Sequence, residues 1–486
     1  MATTLTPTRS RAVTIALAFS GMVVSMMFTL MVPIIPDLPR LLSASPENAS
    51  WAVTATLLSS ALFTPVSGRL GDMYGKRRMV VVSLLLMVAG SAVCALSSSL
   101  PVVVGGRALQ GCAVGVIPLG ISIMRDLLPP ERLGSAMALM SATLGAGGAV
   151  GLPLGALLAQ LADWHLLFLA AAGTGTVGLV LTLTVVPDSP LRAGGRFDFL
   201  GAAGLSSGLV CLLLPVSKGG GWGWDSPLTL GLFGAAAVIL PGWGLVELRV
   251  AEPLVDLRAT ARREVLITNA ASIAFGVAMF GSSLVFPQVL QAPAASGYGL
   301  DLSLFQAGLC MSAGGAMMIV LSPLSARVTD AYGPRVTLMT GALLAVAGYG
   351  LGFFLMDHVW QIVLAATVVS SGVGLGYAAM PALIMGTVPT SETAAANGFN
   401  SLMRSIGTTS ASAVISAVLA AHLIRIGDVP LPSREGFRLA LAITTTAAAS
   451  ALAIAAFLPR RRPTAERILM DRHRSVGIDG SRSRIS

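Results

Sequence analysis

The sequence predicts an all-α integral membrane protein: 14 transmembrane helices, arranged as two six-helix halves with two inserted helices. Three observations predict it. Hydrophobic residues make up 54% of the 486-residue chain and charged residues only 11%, against roughly 25% charged in a soluble domain. The mean hydropathy is +0.81. Apolar runs of about 20 residues, long enough to cross a bilayer as a helix, alternate with short polar segments; a barrel would show about 10-residue strands of alternating polarity. Finally, one short basic segment occurs twice. Gly68-Arg69-Leu70-Gly71-Asp72-Met73-Tyr74-Gly75-Lys76-Arg77-Arg78 is matched by Ala326-Arg327-Val328-Thr329-Asp330-Ala331-Tyr332-Gly333-Pro334-Arg335. Arg69, Asp72, Tyr74, Gly75 and Arg77 align with Arg327, Asp330, Tyr332, Gly333 and Arg335 without a gap. A repeated segment implies a repeated half.

Each element follows in order. Residues 1–11 read as a polar N-terminal segment. The first apolar run, 12–33, is long enough to span and lacks a small-residue cleavage site, so it reads as a retained helix and not a leader. Spans 2 to 6 follow at 51–70, 79–98, 101–123, 135–158 and 165–186, completing a half over 12–186. The basic segment follows span 2 in one copy and span 10 in the other, a shift of eight helices where two plain six-helix halves would give six. Spans 7 and 8, at 199–216 and 227–246, supply the difference. They lie in an insert, 187–264, bounded by the polar connectors Pro187–Asp198 and Glu247–Glu264. The second half, 265–458, holds spans at 265–288, 304–324, 336–356, 359–380, 396–421 and 437–458. Residues 459–486 form a basic tail.

Charge tests this order. With the N-terminus in the cytoplasm, most of the 31 Lys and Arg residues fall on inside segments. Only Arg40, Lys218, Arg425, Arg434 and Arg438 fall outside, and Arg107 and Arg404 lie within spans. Basic loops resist translocation, so both termini are expected in the cytoplasm and the chain in the plasma membrane. The net charge of +9 follows from that bias. It is not a nucleic-acid signal, because no folded basic domain carries it. Cys94, Cys112, Cys211 and Cys310 lie in apolar runs without metal-ligand spacing and read as buried small hydrophobes. No phosphate-binding Gly-x-x-x-x-Gly-Lys-Ser/Thr segment occurs, and the four histidines stand at span ends or in the tail. Primary pumping and enzyme chemistry are therefore not expected. No cofactor or metal is expected, and nothing demands an oligomer.

Several residues invite a mechanism. Asp72 can cap a helix end or pair with a cation across the interface between halves. A topology-setting cluster would need Lys or Arg but no Asp at a fixed offset; the second copy, with Asp330 and Arg335, favours a conformational latch built from Gly68, Asp72, Gly75, Arg77, Asp330 and Arg335. Arg107 is a guanidinium within a span, which is expensive and calls for a cavity or a partner, although it lies near enough to a helix end to snorkel. Arg404, close to the start of span 13, reads as a snorkelling residue. Gly147, Gly151 and Gly155 recur every fourth residue and let a neighbouring backbone approach; the corresponding residues of the second half, Ser405, Thr409 and Ala413, are also small. Pro153 frees a carbonyl and can bend its helix.

These segments resemble the major facilitator superfamily, and within it the fourteen-helix drug:proton antiporter branch. The family's loop signature, G-x-L-a-D-r-x-G-r-k, is met by Gly68, Leu70, Asp72, Gly75, Lys76 and Arg77. Arg107-Ala108-Leu109-Gln110-Gly111 is similar to a helix 4 motif in which Arg precedes a Gln-Gly pair. Gly147 to Gly155 is similar to a Gly- and Pro-rich helix 5, with Leu152 standing between a Gly and Pro153 that the family usually has adjacent. The resemblance covers the chain to about Pro459. It implies an exporter of lipophilic or amphipathic small molecules, drugs or secreted metabolites, working by proton antiport and alternating access in contact with membrane lipid. It assigns Arg107 and Gln110 to coupling or substrate contact. It places a cavity between helices 1, 4, 9 and 12, where Met26, Thr29, Asn269, Phe275, Met279, Gln288 and Tyr377 are the lining candidates. The second reading is a dedicated carrier of one anionic or zwitterionic solute, with Arg107 as counter-charge. One departure bears on coupling. The branch normally carries an Asp in helix 1; aligning its following proline with Pro33 puts Val24 there. No acidic residue falls deep in a span, and Asp37, Asp72, Asp301, Asp330, Glu392 and His422 are the remaining titratable candidates.

Overall fold

The computed structural model describes residues 6–459 apart from 162, 190, 427 and 428. The first five residues and most of the expected basic tail lie outside the described residues. Among the described residues, fourteen helices are long and apolar enough to cross a membrane. They are α1 (Pro7–Leu30), α2 (Trp51–Tyr74), α3 (Lys76–Ala95), α4 (Leu100–Gly111 and Val116–Leu127, joined by a 3-10 turn), α5 (Pro130–Leu161), α6 (His165–Val185) and α7 (Phe199–Trp222). Then come α8 (Pro227–Glu247), α9 (Arg263–Gln291), α10 (Leu304–Tyr332), α11 (Pro334–Phe354), α12 (Val359–Met385), α13 (Thr393–Ala421) and α14 (Arg434–Ala456). Each overlaps one expected span. The segment expected as a loop between α13 and α14 carries an antiparallel hairpin, β1 (Leu423–Ile426) with β2 (Val429–Pro432), in which Leu423 pairs with Pro432.

The repeated basic segment is not a loop. The helix runs on through Asp72 to Tyr74 and stops at Gly75, whose φ of 116° is unfavourable for any residue with a Cβ. Lys76 then opens α3 at once. The second copy does the same: α10 reaches Tyr332, Gly333 has φ 87°, and α11 starts at Pro334. A single glycine thus turns the chain, and Asp72 and Asp330 sit in last helical turns with fixed directions.

Two apolar cores form, one from helices α1 to α6 around residues such as Leu17, Leu84, Met87 and Leu119, the other from α9 to α14 around Phe286, Tyr349, Ile362 and Phe437. A smaller core joins α7 to both halves: Leu205, Leu209 and Leu213 pack with Ala61 of α2 and Leu402 of α13. Two helix pairs carry most of the contact between the halves. α5 lies antiparallel to α10, with Ser312 Oγ donating to the Ala149 carbonyl at 2.5 Å and Gly308 against Pro153. α2 lies against α13, where a Cβ on Gly398 would come 2.9 Å from the Thr64 carbonyl oxygen. Under the repeat, α2 corresponds to α10 and α5 to α13, so the two contacts are related by the pseudo-symmetry.

Candidate functional site

The cluster around Asp72 is built by helix ends. The last turn of α2 brings Asp72 against the first turn of α13. The Ala395 N–H donates to Asp72 Oδ2 at 2.8 Å and the Ala394 N–H to Oδ1 at 3.3 Å. Asp72 therefore caps a helix of the opposite half, satisfying orphan N–H groups where the helix dipole favours an anion. Lys76, first residue of α3, has a fully buried side chain. Its Nζ lies 2.7 Å from Asp126 Oδ2 and 3.6 Å from Asp72 Oδ1, and donates to Thr393 Oγ1 at 3.2 Å. Asn397 Nδ2 approaches Ser122 Oγ at 3.5 Å from across the interface. The first connector closes the cluster from outside: the Ala193 N–H donates to the Asp72 carbonyl at 2.7 Å, and Ser189 Oγ donates to Asp126. Buried charges of this kind hold only when paired and hydrogen-bonded.

Gly68 permits the approach. A Cβ there would lie 2.5 Å from the Ala394 carbonyl oxygen, so Gly68→Val is expected to wedge α2 from α13 and lower transport several-fold at unchanged membrane abundance. Gly105→Ala, where a Cβ would meet nothing within 4 Å, is the control that should leave both unchanged.

The second copy is arranged differently. Asp330 is exposed and faces the start of α5, where a Cβ on Gly134 would lie 3.3 Å from Asp330 Oδ1; it accepts no hydrogen bond among the described residues. Arg77 and Arg335 do not cross between halves. Arg77 Nη2 donates to the Leu183 carbonyl near the end of α6 at 2.6 Å, and Arg335 Nη2 to the Ala456 carbonyl at the end of α14 at 2.7 Å. Each ties the turn of its own half to the last helix of that half.

Arg107 is 2% exposed and turned inward. Its Nε donates to the Ala52 carbonyl at 3.1 Å, and Nη1 donates to Gln110 Oε1 at 2.6 Å. Gln110 Nε2 donates in turn to Ser91 Oγ at 2.7 Å. This chain links α4 to α2 and α3. No carboxylate pairs with Arg107 among the described residues.

The glycine face of α5 packs on α1. A Cβ on Gly147 would meet Ser25 and the Met26 nitrogen, one on Gly151 would meet Thr29, and one on Gly155 the Leu30 carbonyl. Thr29 Oγ1 donates to the Gly147 carbonyl at 3.2 Å. Met26 and Thr29 are thus engaged with α5 within the first half. Phe275, Met279 and Tyr377 are brought together: the rings of Phe275 and Tyr377 lie 6.4 Å apart, and Tyr377 Oη donates to Met279 Sδ at 3.3 Å. Asn269 Oδ1 accepts from Asn400 Nδ2 at 2.9 Å. Gln288 is half-buried and stands apart, without a side-chain partner among the described residues.

Arg404 joins this group, which its position near a span end did not suggest. It stacks over Tyr377 at 4.9 Å, and its guanidinium donates to Asn400 Oδ1 at 3.1 Å and Ser401 Oγ at 2.7 Å. The signal was available: Asn397, Asn400, Ser401 and Arg404 share one face of α13 at three- and four-residue spacing, a polar stripe that lipid would not solvate. Ser141 Oγ of α5 donates to the Tyr377 carbonyl at 3.0 Å, so the group abuts the other half.

Comparison with known proteins agrees with this architecture. A family model described as Major Facilitator Superfamily matches residues 17–280 and 266–478. The chain is 29% identical over 468 residues to the tetracenomycin C resistance and export protein of Streptomyces glaucescens, covering 92% of this chain and 84% of that one. It is 24% identical over 372 residues to multidrug resistance protein 3 of Bacillus subtilis, covering 75% and 70%. The crystal structure of the human organic anion transporter MFSD10 (TETRAN) superposes with a TM-score of 0.62 at 18% identity, over 93% of this chain and all of that one, a likeness of fold. With its repeated halves, Asp72 of its basic motif capping a helix across the interface between them and a family match over most of its length, this multi-pass membrane protein belongs to the Major Facilitator Superfamily.

Proposed function

We propose that this protein is a secondary active transporter that exports lipophilic or amphipathic small molecules, drugs or secreted metabolites, by alternating access. The observation that carries the reading is the charge-assisted cap that Asp72 places across the two halves. It can exist only when that end of the interface is closed, which is what one state of a rocking transporter requires. The names of the relatives, a tetracenomycin C exporter and a multidrug resistance protein, support the substrate class. The aromatic and methionine group Phe275, Met279 and Tyr377 supports it too, since such side chains offer a pliable apolar surface. Arg404 beside them would orient a polar substituent.

Arg107 and Gln110 are proposed to serve coupling, with the proton as coupling ion, and Gly147, Gly151, Pro153 and Gly155 to let α5 slide on α1 and α10. Among the remaining acidic candidates, Asp72 has a fully buried side chain, whereas Asp37, Asp301 and Asp330 are exposed. The proposed setting is the plasma membrane, with the basic end in the cytoplasm. Cells expressing the protein should accumulate less dye or drug than controls, and an uncoupler should erase the difference. Equal accumulation across a panel of lipophilic compounds would remove the export reading; export that ignores the uncoupler would remove proton coupling alone.

Orientation has its own test. Ser296→Cys should react with an impermeant thiol reagent in intact cells, whereas Arg78→Cys, exposed at the basic end, should react only after permeabilisation. Labelling of position 78 from outside would invert the topology.

A further inference from the structure

Beside the Asp72 cluster, and sharing Ala193 and Ala395 with it, lies a cavity of about 460 Å³. Arg69 of α2 lines it from one half, Asn269 of α9 and Phe399 of α13 from the other, and both connectors of the inserted helix pair roof it, through Arg192 and Glu252. Arg69 is 7% exposed, and its Nε is buried without a hydrogen-bond partner. The guanidinium forms no ion pair or hydrogen bond with any described residue. Three carboxylates also line the cavity, and none pairs with Arg69: Glu252 accepts from the Arg196 N–H, Asp256 Oδ1 caps the Arg258 and Ala259 N–H groups at 2.9 and 3.0 Å, and Glu392 is half-buried.

A guanidinium whose buried Nε goes unmet is costly. Five N–H groups in a fixed fork match the oxygens of a phosphate. We propose that this cavity binds a phosphate group, held by Arg69 with Arg192 at the rim. The cavity exceeds a bare anion, since a water molecule claims only about 30 Å³ of liquid volume, so the phosphate can be a free cytoplasmic ion or the headgroup of a lipid. Because the walls come from both halves, the bound group bridges them and favours the arrangement in which this end is closed. The inserted helices then have a part in it: their connectors make the roof.

The test uses the full chain, purified in detergent and exchanged into chloride buffer. Melting is followed against inorganic phosphate at constant ionic strength, and again in nanodiscs of phosphatidylcholine with and without phosphatidylglycerol. A ligand that binds the folded state raises its stability saturably. The unaltered protein should respond to phosphate, which identifies a free anion, or to phosphatidylglycerol alone, which identifies a lipid headgroup. In Arg69→Gln the apparent affinity should fall about tenfold or more, the size expected for losing hydrogen bonds from a charged donor. Thr260→Trp, which fills the cavity from the connector and leaves Arg69 in place, should abolish the response as well. A response to neither ligand overturns the site, and so does one that either variant leaves unchanged.

Discussion

Asp72→Asn should cut export about tenfold or more while the amount of protein in the membrane stays the same. The carboxylate caps two N–H groups of the opposite half, and each charge-assisted bond is worth about 1.5–3 kcal/mol. Asn keeps an acceptor but loses the charge that meets both the helix dipole and Lys76, so closure of this end should weaken by about 10- to 100-fold. A transporter that cannot hold one state closed leaks or stalls. Asp330→Asn should cost much less, because the exposed Asp330 caps nothing in this arrangement. Export rates normalised to membrane abundance decide it. Normal export by the double variant would reduce both aspartates to passengers in a topology-setting cluster.

The helices and the repeat could be read directly from the sequence, because lipid imposes long apolar runs and internal satisfaction of the backbone. The insert followed from where the two basic segments fall. The partner of Asp72 could not be read. It is a pair of backbone N–H groups, and a helix start carries no side-chain label for what will cap it from elsewhere. Lys76 counted as one more inside cation, yet its side chain is fully buried between Asp72 and Asp126. Pro187–Asp198 looked like a plain polar linker, but Ala193 and Ser189 dock it onto the same cluster. Arg77 and Arg335 were expected to share the latch and instead brace their own halves, since each lies within reach of a free carbonyl at the end of its half's last helix. The asymmetry between Asp72 and Asp330 also has a physical source. A rocking interface that is closed at one helix pair need not be equally engaged at its pseudo-symmetric mate.

Arg107→Ala should abolish uphill export while leaving the protein's melting temperature close to that of the unaltered chain. The two effects separate because of how Arg107 is held. It is a buried cation with two hydrogen bonds of its own, to Ala52 and to Gln110, which in turn donates to Ser91, but with no carboxylate paired to it among the described residues. Removing the charge relieves a burial cost of a few kcal/mol, while stranding Gln110 costs about 1–3 kcal/mol. The packing lost with the side chain adds to the second, and the relief of burial offsets them, so stability alone gives little reason for an arginine here. Arg107 is a permanent cation and cannot itself carry a proton. It can act only by biasing a neighbouring acid or by meeting substrate in competition with the proton. Arg107→Lys should retain partial export if charge alone matters, and lose it if the planar fork that reaches Ala52 and Gln110 together is needed. Uphill efflux by Arg107→Ala would end its coupling role. A parallel fall in melting temperature and export would make it a packing residue whose loss simply loosens the contact of α4 with α2.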